Sequence, residues 1–211
     1  MVGQGVLREC LLDPDVSVVQ TVGRTATGVM HPKLREVVQP DLMHYSEIED
    51  ELAGFDACFF CLGVSSAGMA EPEYERLTYG ITMAAAETLC RLNPDMTFIY
   101  VSGAGTDSSE RGRSMWARVK GRTENALLRL PFRDAYMFRP AGIQSLHGER
   151  SKTTAYRVGY ILMQPLIPLL RRIFPDYILT TEEIGRAMIQ VAKRSAPKRI
   201  LESSEIRELG H

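Results

Sequence analysis

Short runs of β-branched and aromatic residues alternate along this chain with longer stretches whose apolar residues recur at helical spacing. The opening MVGQGVLREC predicts a helix from Val2 to about Leu12. SVVQTV (residues 17–22) then reads as a strand, and LREVVQ as a second. ACFFCL (57–62), TFIYVS (97–102) and AYMFRP (135–140) continue the series. Several of these runs are apolar on both faces, as suits parallel strands covered by helices on each side. Between them, EPEYERLTYGITMAAAETLCRL sets Tyr74, Leu77, Ile81, Ala84, Ala85 and Leu89 near one helical face. A second amphipathic helix covers about residues 113–130 and stops at Pro131. This alternation, with short links, predicts an α/β fold built on a doubly wound parallel sheet.

After Pro140 the alternation weakens. Residues 156–174 read as helical but broken by prolines. TTEEIGRAMIQVAKRS restarts a helix with Thr180 or Thr181 as N-cap, and Thr180 with Glu183 has the spacing of a capping box. KRILES is a candidate last strand, inside or outside the main sheet. The expectation is one domain over residues 1–211. It has a core over 1–143 and a small helical lobe over 144–211 serving substrate or interaction.

Composition narrows the function classes. Of 211 residues, 45% are hydrophobic and 24% charged, with a net charge of −1 and both signs interspersed. That gives no electrostatic case for a nucleic-acid partner. The four cysteines lie in apolar stretches and no signal peptide precedes the first helix, which points to a reducing cytoplasm. Cys58 and Cys61 form a C-x-x-C, but three residues along a strand reverse the face, so both read as core thiols. The longest apolar run, YILMQPLIPLL (160–170), is too short to span a bilayer and reads as core, subunit contact or interfacial helix.

Four local signals suggest chemistry. Gly3 and Gly5 open a helix, where glycine lets a phosphate or a strand approach the backbone. Arg24 follows the first strand, 21 residues after Gly3. In dinucleotide-binding folds, the residue about 20 positions beyond the glycines reads the adenosine ribose, and an arginine there suits the 2′-phosphate of NADP. Leu62 and Gly63 close a buried strand and enter a loop of small residues. Finally, Ser102 ends a strand in VSGAG, Lys120 follows in WARVK, and Arg139, Pro140, Ala141 and Gly142 end the next strand.

Taken together, CLG, VSGAG, WARVKGRTENAL and FRPAGI resemble an atypical short-chain dehydrogenase/reductase over about residues 1–143. The similarity is to the NAD-dependent epimerase/dehydratase group and the Tat-interacting-protein-like branch. It implies a Rossmann-like sheet and an NADP or NAD cofactor, with Gly3 matching the last glycine of G-x-x-G-x-x-G. It further implies that Gly3, Arg24, Leu62, Gly63, Ser102, Lys120, Pro140 and Gly142 contact the cofactor. The family's catalytic set is a serine with Y-x-x-x-K. Ser102 and Lys120 match, but Trp116 stands at the tyrosine position. An indole N–H has no titration near neutral pH and cannot shuttle the proton of carbonyl reduction. Replacement acids are Tyr79, Tyr100, Asp107, Glu110 and His147, each with a plain core or surface alternative.

The resemblance also implies that the family's first strand and first two glycines are absent. That strand belongs in the centre of the sheet, and its loss would unpair the edges of two neighbours. The expectation is therefore that Met1 is an internal methionine of the glycine motif. For function, the leading reading is an NADP-preferring oxidoreductase or epimerase acting on an unknown small metabolite. The alternative is a catalytically silent NADP sensor or scaffold. Homodimerisation is a family expectation.

Overall fold

The strands form where β-branched and aromatic residues concentrate, near the expected positions. The structure, a computed structural model, describes residues 1–146 and 177–211. The proline-broken helix expected over 156–174, the apolar run 160–170 and His147 lie outside the described residues. In chain order come α1 (Val2–Leu12), β1 (Val19–Gly23), β2 (Leu34–Val38), α2 (Glu49–Leu52), β3 (Ala57–Phe60), α3 (Glu71–Glu75) and α4 (Ile81–Leu92). There follow β4 (Thr97–Val101), α5 (Met115–Leu127), β5 (Asp134–Arg139) and β6 (Gly142–Gln144). The last elements are β7 (Ile178–Thr180), α6 (Thr181–Arg194), β8 (Ile200–Glu202) and α7 (Ser203–Gly210).

Among the described residues every strand pairing is parallel. β3, β4, β5 and β8 make one sheet in that order, β1 pairs with β2, and β6 pairs with β7. KRILES thus joins the main sheet through β8, beside β5. Side chains alternate between two cores, one on each face. Phe98, Tyr100 and Met137 enter the core shared with α4 and α5. Ile99, Tyr136 and Phe138 enter the core shared with α1 and α6. This is a doubly wound α/β arrangement.

Among the described residues the strands are divided between β1 and β3. β1 and β3 contribute to the same two cores, Val22 and Cys58 to the first and Val19, Phe59 and Cys61 to the second. Yet they belong to separate sheets. The four residues of β4 that pair with β3 are all buried, whereas three of the four in β3 are only half-buried.

Two helices show how local packing departs from simple periodicity. Between α3 and α4 the chain makes a π-helical turn, Arg76–Gly80. Its extra residue per turn rotates the inward face. Tyr74, Thr78, Thr82, Met83, Ala85, Ala86 and Cys90 are buried, while Leu77, Ile81, Ala84 and Leu89 are half-buried. At the start of α6 the expected capping box forms: Thr180 Oγ1 accepts from the Glu183 amide at 3.0 Å, and Glu183 Oε2 accepts from the Thr180 amide at 2.6 Å. α1 lies closely on α6. A Cβ on Gly5 would stand 2.4 Å from Thr181 Cβ, and one on Gly185 would stand 2.8 Å from Glu9 Cγ. Glu9, 5% exposed in this contact, pairs with Arg8 at 2.5 Å and Arg186 at 2.9 Å.

Candidate functional site

Parallel strands present their carboxyl ends along one edge, and in open α/β sheets that edge is where ligands bind. Arg24 directly follows β1. It is exposed and makes no hydrogen bond or ion pair with any described residue. Leu62, half-buried, and Gly63, exposed, follow β3, and a Cβ on Gly63 would meet nothing within 4 Å. α1 starts beside them: a Cβ on Gly3 would stand 3.3 Å from Cys61 Cβ. Gly3 therefore sits where a helix is pressed onto the end of a strand. The first turn of α1 carries no acidic residue, and Met1 makes no side-chain cap hydrogen bond.

Beyond β3, the ends of β4 and β5 are sewn together. The Ser102 amide donates to Phe138 O at 2.9 Å and the Ala104 amide to Pro140 O at 3.0 Å. Lys120 reaches from α5 to donate through Nζ to Ser102 O. Burial lowers the Lys120 ammonium pKa to about 8, against the opposing attraction of Glu124. Ser102, Lys120 and Pro140 are thus one connected group. Trp116 lies one turn earlier on α5, against Gly105. That glycine has a φ of +83°, and a Cβ there would stand 3.6 Å from the indole, in ordinary contact. Gly142 opens β6, where a Cβ would stand 3.1 Å from Tyr177 O.

Beneath this group is a buried charge network that the sequence pattern does not single out. Glu124 is fully buried, one turn after Lys120. It accepts from Ser102 Oγ at 2.5 Å, from Arg139 Nε at 3.0 Å and from Arg139 Nη2. Arg139 also donates to Ser108 Oγ at 2.6 Å and to Glu202 at 3.3 Å. The Ser102 side chain therefore donates inward, and the serine is 5% exposed. In VKGRTENAL, Glu124 reads as one polar residue among several. The available signal was its i+4 spacing from Lys120.

The replacement acids fare differently. Tyr100 is 1% exposed in the first core, and burial pushes its phenol far above the ordinary tyrosine range. Tyr79 is half-buried under the Arg122 guanidinium, 4.9 Å from its ring centre. Asp107 clasps its own loop, accepting from the amides of Ser109, Arg111 and Gly112. The Ser109 hydroxyl, which also donates to Asp107 at 2.6 Å, and these amides hold its carboxyl below the usual range. Glu110 accepts from Asn125 Nδ2 at 2.7 Å. Each of these four makes a structural contact. Cys58 and Cys61 face opposite cores, and burial raises both thiols to about 12.

A parallel sheet between two helical layers defines the fold class, which is doubly wound and Rossmann-like. Solved structures agree. The Bordetella bronchiseptica enzyme WbmF in complex with NAD+ matches with a TM-score of 0.66 and 13% identity, over 99% of this chain and 73% of WbmF. The dTDP-glucose 4,6-dehydratase DesIV from Streptomyces venezuelae, a double mutant with NAD bound, matches with a TM-score of 0.64 and 17% identity, over 99% of this chain and 76% of DesIV. No protein-family model matches the chain. In sequence, the chain is 30% identical over 187 residues to the mitochondrial protein FMP52-2 of Scheffersomyces stipitis, covering 85% of this chain and 77% of that protein. The chain belongs to the family of FMP52-2.

Proposed function

We propose that this protein binds NADP(H) along the carboxyl edge of its sheet and works on a small metabolite as an oxidoreductase or epimerase. One observation carries the cofactor preference: Arg24 is an exposed cation without a partner among the described residues, at the end of the strand that reads the adenosine ribose. A planar guanidinium there suits a 2′-phosphate. Around it, the acid-free amino end of α1 suits a diphosphate, and Leu62 and Gly63 leave open space for the adenosine side. In this reading Lys120 holds ribose hydroxyls, with Pro140 and Gly142 framing the nicotinamide end. When bound, the nicotinamide supplies hydride transfer. The chain's part is to bind and orient.

Trp116 supports a second reading, in which the protein binds the dinucleotide without turnover and serves as a sensor or scaffold. The four cysteines are free thiols, which suits the reducing cytoplasm. The mitochondrial name of FMP52-2 makes organelle fractionation the direct check on that placement. Among the described residues no helix is long and apolar enough to cross a membrane.

The test is titration followed through Trp116, the single tryptophan. Saturable quenching by NADPH, weakened about 10- to 100-fold in Arg24→Ala with little change for NADH, supports the reading. An unchanged NADPH curve in Arg24→Ala removes the 2′-phosphate role, and no response of the wild type removes the cofactor. Trp116→Tyr separates the two readings: gained carbonyl reduction favours the enzyme frame, and binding without gain favours the sensor.

A further inference from the structure

Trp116 and Ser102 together leave the junction of β4 and α5 short of a proton donor. An indole does not titrate near neutral pH, and the Ser102 hydroxyl proton is turned inward, towards Glu124 and Phe138 O. Tyr100 is buried, and Tyr79, Asp107 and Glu110 are bound to structural partners. Lys120 differs from all of these. Its ammonium has three N–H donors, and among the described residues only Ser102 O accepts from it. That carbonyl directly follows β4, so the ammonium lies at the carboxyl edge, where ligands bind. Two N–H groups remain, on a side chain that is half-buried between core and solvent.

The surroundings keep this group titratable. Burial lowers its pKa to about 8, and Glu124, one turn further along α5, opposes that shift. The charged groups of the elements packed on α5 are engaged elsewhere or exposed. Glu71 and Glu75 of α3 pair with Arg118 and Arg122, and Tyr79 of the π turn lies under Arg122. On α4, Arg91 pairs with Glu49, while Glu87 and the π turn's Arg76 are exposed. Arg139 of β5 is bound to Glu124, and Asp107 clasps its own loop. Tyr74 of α3 is a buried phenol, like Tyr100.

We propose that Lys120 is the catalytic proton donor and acceptor of this site, acting on a small aldehyde or ketone and on the matching alcohol, in place of a tyrosine at Trp116. The proposal rests on the enzyme reading above and goes beyond it. During reduction by a dihydronicotinamide, the carbonyl carbon gains a hydride and its oxygen gains negative charge. One N–H bond of the ammonium breaks with its electron pair left on nitrogen, an O–H bond forms, and the neutral amine regains its proton from water. In the reverse direction the neutral amine takes the hydroxyl proton. The bond to Ser102 O anchors the nitrogen throughout, and the third N–H serves the ribose.

Two measurements test this, one of them without turnover. Competitive labelling of the free protein with acetic anhydride, read by peptide mass spectrometry across pH, reports the titration of each lysine. Lys120 should have a midpoint near pH 8, whereas Lys193 and Lys198, raised by their carboxylate partners, should titrate above the ordinary lysine value. NADPH-dependent reduction of para-nitrobenzaldehyde is then followed against pH. Its kcat/KM should be level below pH 8 and fall about tenfold per pH unit above it, because reduction needs the ammonium. Lys120→Met should lose about 10²- to 10⁴-fold. Lys120→Arg keeps a cation but releases no proton, so it should lose about tenfold or more, together with the fall near pH 8. Quenching of Trp116 by NADPH separates the two layers of the reading. No quenching in wild type overturns the cofactor and this proposal with it. Quenching combined with an ordinary Lys120 midpoint, with no wild-type turnover, or with turnover that Lys120→Met leaves intact overturns the proposal alone. A pH profile unchanged in Lys120→Arg overturns it too, and assigns the proton to another group.

Discussion

Replacing Glu124 with leucine tests whether the buried network beneath Ser102 holds the two halves of the site together. Glu124 has no exposed surface, and the Arg139 side chain is 11% exposed. The leucine would remove both carboxylate oxygens from the guanidinium, leaving Ser108 and the half-exposed Glu202 as its partners, and would leave the Ser102 hydroxyl only Phe138 O, at 3.2 Å, as acceptor. Breaking a buried ion pair from one side costs about 3–5 kcal/mol, because the remaining charge stays desolvated. With a urea slope of about 2 kcal/mol per M, the unfolding midpoint should fall by about 2 M. Glu124→Gln keeps a side-chain acceptor and most of the shape, so its loss should be smaller, about 1.5–3 kcal/mol. The double variant Glu124→Leu with Arg139→Met removes both charges and should recover most of the stability. Urea titration followed by far-ultraviolet circular dichroism measures all three. The reasoning fails if Glu124→Leu shifts the midpoint by less than about 0.5 M, or if the double variant loses the sum of the two single losses.

Two further predictions concern the site lysine and the helix contact. Lys120 has a folded pKa of about 8 against 10.5 for the free side chain. The unfolded chain therefore binds more protons between pH 8 and 10.5, and Lys120 makes stability rise with pH across that window. Below pH 8 both states carry the proton and the burial penalty is fully present. Lys120→Met should flatten the rise measured by urea titration between pH 7.5 and 9.5, and an unchanged slope would count against a buried ammonium. Gly5→Ala places a methyl 2.4 Å from Thr181 Cβ and 3.1 Å from its carbonyl oxygen, and the resulting shift of α1 should cost about 1–3 kcal/mol in thermal or urea unfolding. Gly63→Ala, which meets nothing, should stay within about 0.5 kcal/mol of wild type, and similar losses in both would refute close packing of α1 on α6.

Local pattern alone carried much of this protein. Strand positions follow apolar runs because a parallel strand covered on both faces needs them, and TFIYVS and AYMFRP are such runs. The Thr180–Glu183 cap was legible because its partners lie three residues apart and need no other element. The positions of Arg24, Ser102 and Lys120 followed from the order of strands and helices, since every parallel strand delivers its end to the same edge. Only the tertiary structure decided what depends on residues far apart in sequence. Gly5 and Gly185 are glycines for a helix crossing between segments 180 residues apart in order of magnitude, a contact that no local window contains. Glu124 reads as surface in a helical pattern, yet it is buried because Arg139 on β5 and Ser102 after β4 converge on it. The face of α3 and α4 shifted because a π turn adds a residue that periodicity cannot foresee. The division of the sheet was expected from a motif. That β1 and β3, in separate sheets, still share two continuous cores emerged only from the packing of their side chains.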